Sequence, residues 1–193
     1  MLTITSKPWL GRAINKIMII SRTPYRISFA GGLSDLENYY LHHDGGLVVS
    51  ATINKYIYII LNDWDENKYK ITYSKNEEVD DINKIKHPLV RECLKYVGID
   101  KPIEIISASD IRGNSGLGSS SAFTVGLLNA LYKYNGEQVN KYTLAENACD
   151  IEINILGEPI GKQDQYASRI PSSDWKKFKK ELIKITLISL DIN

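Results

Sequence analysis

A loop rich in glycine and serine, residues 113–122, contains the residue types with the clearest chemical role in this sequence. Gly113, Gly116 and Gly118 let the backbone turn tightly and bring its N–H groups close to a ligand. Three serines follow and begin a predicted helix, whose free N–H groups and positive dipole end favour an anion. Their hydroxyls can cap the helix, donate to a phosphate or bind Mg²⁺. The loop therefore predicts a polyphosphate site.

This loop differs from the Walker A phosphate-binding loop. Gly113 and Gly118 have the spacing of that motif, but Ser119 stands where its lysine belongs. From the residues alone, an ordinary strand-to-helix turn is the alternative interpretation, because turns are often rich in glycine and serine.

Three stretches, in the same order along the chain, resemble the motifs of the GHMP kinases, the superfamily of galactokinase, homoserine, mevalonate and phosphomevalonate kinases. The first is Thr-Pro-Tyr-Arg-Ile-Ser-Phe-Ala-Gly-Gly-Leu-Ser-Asp at residues 23–35. The second is the loop with Ser-Gly-Leu-Gly-Ser-Ser-Ser-Ala, and the third runs from Glu152 to Tyr166 and contains Gln-Asp-Gln-Tyr. The most similar branch is the sugar kinases that resemble D-glycero-D-manno-heptose 7-phosphate kinase. The resemblance implies transfer of the γ-phosphoryl group of ATP to a sugar hydroxyl, expected at the anomeric carbon.

The resemblance also implies roles for individual residues. Asp164 matches the aspartate that accepts the hydroxyl proton, and Arg26 matches the basic residue that faces it and stabilises developing charge on the sugar oxygen. Without the resemblance, Asp164 would be a solvated loop carboxylate and Arg26 a surface ion-pair partner. Asp35 matches an aspartate that binds sugar hydroxyls, and Gly31 and Gly32 belong to the same substrate-binding motif.

ATP and Mg²⁺ are the implied cofactors. Glu152 matches the carboxylate that ligates Mg²⁺, although Glu146 and Asp150 are near enough to be confused with it. Ser120 matches the serine that completes the metal shell, with Ser119 as the alternative. The residues expected to bind the nucleotide phosphates are Gly113, Asn114, Ser115, Gly116, Leu117, Gly118, Ser119, Ser120 and Ser121.

The predicted elements that position these motifs mix strands and helices without a strict βαβ repeat, so we expect an α+β fold. By resemblance it is the GHMP kinase N-terminal domain, a ribosomal protein S5 domain 2-like fold. The predicted strands are Ile17–Ser21, Arg26–Ala30, Leu47–Ala51, Lys55–Asn62, Lys68–Tyr73, Ile103–Ser107 and Glu181–Leu190. The predicted helices are Leu33–His43, His87–Val97, one after the glycine-serine loop, and Lys141–Leu156.

Two local signals refine these expectations. Ser34 and Glu37 have the spacing of a capping box, which favours Ser34 as the N-cap of the Leu33–His43 helix. Residues 75–84 are polar and acidic, which favours a surface loop. In the helix after the glycine-serine loop, the expected core-facing residues are Phe123, Leu127, Leu128 and Leu131.

The chain divides into three expected parts: a poorly ordered extension over residues 1–17, an ATP-binding domain over 18–168, and a divergent tail over 169–193. In the family the third motif leads into a second, C-terminal domain, whose motifs are absent here. The alternative to an active sugar kinase is therefore a truncated, inactive or split-gene nucleotide-binding chain. It would need a complementing C-terminal half or a homo-oligomer.

Composition excludes several other classes of protein. Lysine plus arginine total 24 against 23 aspartate plus glutamate, a balance that removes the electrostatic case for a dedicated nucleic-acid binder. No run approaches the roughly 18 apolar residues of a membrane span. Two isolated cysteines, Cys93 and Cys149, favour free thiols and a cytoplasmic protein.

The identity of the sugar stays open at this point. A sugar phosphate would require an anchoring cation, and Arg22, Arg26 and Lys162 all lie within the motifs without a ranking among them.

Overall fold

The computed structural model describes residues 2–3, 18–43, 45–64, 66–113, 115–168 and 184–190. Of the predicted extension, only the strand Leu2–Thr3 lies within these ranges, and residues 4–17 lie outside them. Of the predicted tail, only Lys184–Leu190 is described, as a strand. The domain boundaries at residues 17 and 168 stay predictions.

Within the described residues, one mixed sheet forms a layer of the fold. Its strands are β1 (Leu2–Thr3), β2 (Met18–Ala30), β3 (Gly46–Asp63), β4 (Tyr69–Thr72), β5 (Asn76–Val79), β6 (Ile103–Ser109) and β7 (Lys184–Leu190). They are ordered β1-β2-β3-β6-β4-β5, and β7 pairs with the first part of β3. The pair β4–β6 is parallel and the other pairs are antiparallel.

β2 and β3 are continuous strands, although the sequence predicts two strands in place of each. The predicted break at Thr23-Pro24 is wrong because the register shifts between Pro24 and Arg26, and such a bulge accommodates a proline within a strand. Tyr25, at the shift, is buried, and its hydroxyl lies 2.5 Å from Ser109 Oγ on β6. The bulge is therefore fixed to the interior of the sheet.

The helices form a second layer against this sheet. They are α1 (Glu37–Tyr40), α2 (Pro88–Val97), α3 (Ser119–Tyr134), α4 (Lys141–Cys149) and α5 (Gln163–Ser168). α3 packs against β2 and β3 and contacts α2, α4 and α5, so it lies at the centre of the core. Its four predicted core residues, Phe123, Leu127, Leu128 and Leu131, are buried as expected.

Two local predictions are wrong. The helix expected over Leu33–His43 is only the single turn α1, because Ser34 Oγ does not cap it and instead donates to the carbonyls of Gly31 and Leu47. The segment expected to be a loop at residues 75–84 contains β5 and a 3₁₀ turn at Ile82–Lys84. β5 pairs with β4, so cross-strand hydrogen bonds stabilise a polar sequence as a strand.

α4 continues as a wider, π-helical turn over Asp150–Ile155, and the left-handed Gly157 follows. The predicted helix Lys141–Leu156 is thus present with a change of helical type near its end. This turn contains Glu152, and π-helical turns are frequent at functional sites.

The α+β fold class is confirmed. Among the described residues, no helix is long and apolar enough to cross a membrane.

Candidate functional site

The glycine-serine loop connects β6 to the N-terminus of α3. Gly118 is the N-cap of α3 in a left-handed conformation, with φ of 74°, and no side chain caps the helix. The first N–H groups of a 16-residue helix are therefore left without a side-chain cap, as an anion site requires. Of the expected phosphate-binding residues, Asn114 lies outside the described residues.

Arg26 and Asp164 form a two-point ion pair beside this loop. Arg26 Nε and Nη2 donate to the two carboxylate oxygens of Asp164, each at 2.5 Å. Arg26 Nη1 donates to the Gly116 carbonyl at 2.9 Å. The guanidinium from β2 thus connects the aspartate of α5 to the phosphate loop, and both expected catalytic residues lie together.

Gly118 is adjacent to this ion pair. A Cβ atom at this position would lie 3.0 Å from Asp164 Oδ2 and 3.4 Å from Arg26 Cζ. Both the left-handed backbone and the closeness of the carboxylate therefore require glycine here.

Ser120 and Glu152 lie in contact, as a shared metal site would require. Ser120 Oγ donates to Glu152 Oε1 at 2.7 Å, and Gln165 Nε2 donates to Glu152 Oε2 at 2.6 Å. Glu152 is fully buried, and this burial raises its pKa despite hydrogen bonds that act in the opposite direction, from Ser120 and Gln165 among others. A buried carboxylate beside a hydroxyl is a set of hard oxygen ligands, which fits Mg²⁺.

The described residues contain no cluster of three or more histidine, cysteine, aspartate or glutamate side chains that could enclose a metal ion. Mg²⁺ in phosphoryl-transfer sites is typically held by one or two carboxylates together with substrate phosphates and water. The pair Ser120 and Glu152 fits that mode of binding. The neighbours Glu146 and Asp150 instead line a separate cleft.

Asp35 is buried next to the start of α5. Its Oδ2 accepts a hydrogen bond from the backbone N–H of Gln163 at 2.9 Å. Its Oδ1 has no hydrogen-bond partner among the described residues. Asp35 lines a cleft of about 370 Å³ together with Glu37, Glu146, Cys149, Asp150, Ile153, Asn154, Ile160, Lys162 and Tyr166. The expected substrate residues Gly31 and Gly32 are exposed nearby in sequence.

The structure distinguishes the three candidate anchoring cations. Arg22 lies over the ring of Tyr56, with Cζ 4.4 Å from the ring centroid. Arg26 is engaged by Asp164. Lys162 lines the cleft of Asp35, and its Nζ lies 3.4 Å from Tyr40 Oη. Of the three, Lys162 is the cation in that cleft.

A second cleft, of about 460 Å³, adjoins the phosphate loop and is lined by Gly113, Ser119 and Ser120. Its other lining side chains include Tyr25, Tyr73, His87, Leu89, Ile111 and Phe123. The aromatic character of this cleft was not predicted. In the sequence, His87 indicates only a helix start and Phe123 only a core position, so no local signal relates them to a ligand.

Gln163 and Gln165 are two further residues whose importance the sequence did not indicate. They flank Asp164 on α5, and one contacts Asp35 while the other contacts Glu152. Their place within the Gln-Asp-Gln-Tyr motif was the available signal.

Comparisons with known proteins relate part of this chain to a protein family. Residues 83–170 match the family model of the GHMP kinases N terminal domain. Residues 83–170 thus carry the sequence pattern of the GHMP kinase N-terminal domain, and the α+β fold of the described residues matches the fold of that domain.

Individual relatives are sugar and small-molecule kinases. D-glycero-alpha-D-manno-heptose 7-phosphate kinase of Campylobacter jejuni is 31% identical over 177 residues, which cover 83% of this chain and 50% of that protein. Galactokinase of Thermosipho africanus is 24% identical, with 81% and 45% covered. A crystal structure of a D-glycero-D-manno-heptose 1-phosphate kinase from Bacteroides thetaiotaomicron superimposes with a TM-score of 0.72 at 27% identity, over 80% of this chain and 54% of that one. The chain spans about half the length of the curated relatives it matches.

Proposed function

We propose that this chain provides the catalytic and nucleotide-binding half of an ATP- and Mg²⁺-dependent sugar kinase. The reaction would transfer the γ-phosphoryl group to the anomeric hydroxyl of a sugar or sugar phosphate, of the class of D-glycero-D-manno-heptose 7-phosphate. The observation that carries the proposal is the position of α5. Three consecutive residues, Gln163, Asp164 and Gln165, contact Asp35, Arg26 and Glu152, which come from three separate parts of the chain.

The nucleotide would lie along the glycine-serine loop. The uncapped N-terminus of α3 offers N–H donors and a positive dipole end to the phosphates. The aromatic cleft beyond Gly113 and Ser119 is of a size and character suited to a flat base. Its position next to the loop supports a nucleotide rather than a simple phosphate as the ligand.

Ser120 and Glu152 would hold the metal ion at the start of α3. Bound Mg²⁺ supplies positive charge that neutralises the phosphate oxygens during transfer. The Gln165 hydrogen bond fixes the Glu152 carboxylate so that one oxygen faces Ser120.

Asp164 would accept the proton of the acceptor hydroxyl. The two-point contact with Arg26 fixes the carboxylate in one orientation, which general-base catalysis requires. The same guanidinium places positive charge beside the oxygen that attacks the phosphate, where it stabilises developing negative charge.

Asp35 would bind hydroxyls of the acceptor. Its buried Oδ1 lacks a hydrogen-bond partner within the described part of the chain, and an unsatisfied buried carboxylate oxygen is costly unless a ligand donates to it. Lys162 in the same cleft would pair with the phosphate of a sugar phosphate. The heptose phosphate kinases among the relatives support this class of substrate.

The second candidate function is a nucleotide-binding chain that catalyses phosphoryl transfer only together with a complementing C-terminal half or another copy of itself. Large apolar side chains are exposed beside the substrate motif, namely Phe29, Leu33, Leu41 and Leu47. Exposed apolar surface of this kind marks contact with another protein surface. The two candidates share the nucleotide site and differ in whether the chain alone is active.

A thermal melt with and without millimolar Mg²⁺-ATP tests the nucleotide site. A ligand that binds only the folded state at about 100-fold excess over its Kd stabilises it by about 2.7 kcal/mol. We expect an upward shift of the melting temperature. A cooperative melt with no shift would contradict ATP binding.

Turnover assays with heptose 7-phosphate, galactose and related sugars test the chemistry. Asp164→Asn is expected to lower turnover by on the order of 10²- to 10⁴-fold and to keep the Mg²⁺-ATP melting shift. Asp100→Asn, at an exposed aspartate between α2 and β6, is the control and should leave both unchanged. Nucleotide binding without turnover, restored by a separate C-terminal half, would favour the second candidate.

A further inference from the structure

Glu77 is a buried carboxylate that the proposed phosphoryl transfer does not use. It lies on β5 with only 9% of its surface exposed, whereas its neighbour Glu78 points to solvent. Both oxygens of Glu77 accept hydrogen bonds. Tyr73 Oη donates to Oε1 at 2.7 Å, and the backbone N–H of Lys86 donates to Oε2 at 2.6 Å.

These donors belong to two separate elements. Tyr73 follows β4 directly, while Lys86 lies two residues before α2 begins at Pro88. One side chain on β5 therefore joins the β4–β5 hairpin to the start of α2.

The residues joined in this way form one side of the aromatic cleft. The rings of Tyr73 and His87 meet edge to face at 4.7 Å between centroids. The ring of His87 stacks on Phe123 at 5.0 Å. All three line the cleft that adjoins the phosphate loop at Gly113. Glu77 therefore contacts Tyr73 directly and His87 through the adjoining backbone of Lys86, and both rings lie on this side of the cleft.

The charge state of Glu77 is consistent with this arrangement. Burial by itself raises the pKa of Glu77, but hydrogen bonds from Tyr73 and from the backbone of Lys86 and His87 outweigh it, so the pKa lies below its ordinary value. The hydrogen bond to Glu77 raises the pKa of Tyr73 to about 12, so the phenol is the donor. The ionised carboxylate thus offers two acceptors to these donors.

We infer that Glu77 is a positioning residue that holds Tyr73 and His87 as the side of a nucleobase pocket and thereby determines affinity for the base. This inference rests on the proposed nucleotide site. It concerns the base and leaves phosphate binding to the glycine-serine loop.

Glu77→Gln tests the inference because an amide keeps the shape but removes the charge and replaces one acceptor by a donor. Either the Lys86 N–H then loses its acceptor or the Tyr73 hydroxyl must turn from donor to acceptor. The Kd values of Mg²⁺-ATP and Mg²⁺-tripolyphosphate are measured by calorimetry on the full chain. Loss of one buried hydrogen bond to a charged group is expected to raise the Kd of ATP about tenfold. The Kd of tripolyphosphate, which has no base, should stay within about twofold. Glu78→Gln, the same change on the exposed side of the strand, is the control and should alter neither.

Tyr73→Phe is the second variant, because it keeps the ring and removes only the donor to Glu77. It should weaken ATP in the same direction and leave tripolyphosphate unchanged. Equal weakening of both ligands in Glu77→Gln, or no weakening of either, would overturn the inference. If the wild-type chain binds tripolyphosphate as tightly as ATP, the base contributes no affinity. That result would overturn the inference without contradicting phosphate binding by the glycine-serine loop. Failure to bind either ligand would instead reject the proposed function itself.

Discussion

Arg26 and Asp164 are 138 positions apart in the sequence and meet through two parallel hydrogen bonds of 2.5 Å. Their side chains are only 10% and 20% exposed, so the pair is largely shielded from water. Bidentate arginine–carboxylate pairs fix orientation as well as charge. Because Arg26 also donates to Gly116, the orientation of the carboxylate is linked to the phosphate loop.

Gly118→Ala should disturb this ion pair specifically, and Gly116→Ala is its matched control. Both glycines have φ of 74°, so each alanine costs about 1 kcal/mol of backbone strain. Only at Gly118 would the new methyl meet Asp164 and Arg26, whereas at Gly116 no described atom lies within 4 Å. A displacement of about 1 Å can reduce turnover on the order of 10²-fold. We expect similar melting temperatures for the two variants and a much lower kcat for Gly118→Ala. Equal kcat values would contradict a role for close contact at this glycine.

Glu152→Gln should remove the dependence of nucleotide binding on Mg²⁺. The amide retains one acceptor but loses the negative charge that a divalent cation needs. In the wild-type chain, Mg²⁺ is expected to tighten ATP binding, and in the variant the Kd values with Mg²⁺ and with excess chelator should agree within about twofold.

Glu146→Gln is the matched control for this experiment, because the same substitution is made on the same helix at an exposed residue of the other cleft. It should keep the full effect of Mg²⁺. If Glu146→Gln lost the Mg²⁺ effect and Glu152→Gln kept it, the metal ligand would be Glu146 and not Glu152.

Glu104→Gln should lower the free energy of unfolding in a manner that depends on pH. Glu104 on β6 accepts hydrogen bonds from Asn62 at 2.8 Å and lies 2.9 Å from Lys70 Nζ on β4. Burial raises its pKa, but the contacts with Asn62 and Lys70 outweigh burial, so the pKa lies below its ordinary 4.5. The carboxylate therefore stabilises the fold above pH 4.5, and this contribution is lost as the pH falls through the lower folded-state pKa.

The measurement is urea unfolding of wild type and Glu104→Gln between pH 3 and pH 7. We expect a difference of about 1 kcal/mol at neutral pH, which narrows below about pH 4.5. Glu78→Gln, whose pair with Lys68 is exposed, should show a small difference throughout. If the difference in the free energy of unfolding between wild type and Glu104→Gln widened towards low pH, the sign of the pKa shift would be contradicted.

Local signals in the sequence predicted several elements well. Gly98 ends α2 in a left-handed conformation, and the apolar spacing of Phe123, Leu127 and Leu131 marks the buried side of α3. Prediction failed where contacts with a neighbouring strand determine the local structure. Pro24 reads as a strand break, yet hydrogen bonds to β3 on both sides of the bulge keep β2 continuous. Ser34 reads as a helix cap, but the Leu47 carbonyl of the adjacent strand competes for its hydroxyl.

The sequence by itself determined which residue types could bind phosphate, ligate Mg²⁺ and exchange a proton, because glycine, serine and carboxylate residues occur in three ordered motifs. Only the tertiary structure decided that Glu152, and not Glu146, faces Ser120, since the direction of a side chain on a helix depends on how the helix packs. It also decided that Lys162 shares a cleft with Asp35 and that Glu77 joins Tyr73 to α2. These relationships join residues on different elements, and folding brings them within hydrogen-bonding distance through burial of a core that no single motif encodes.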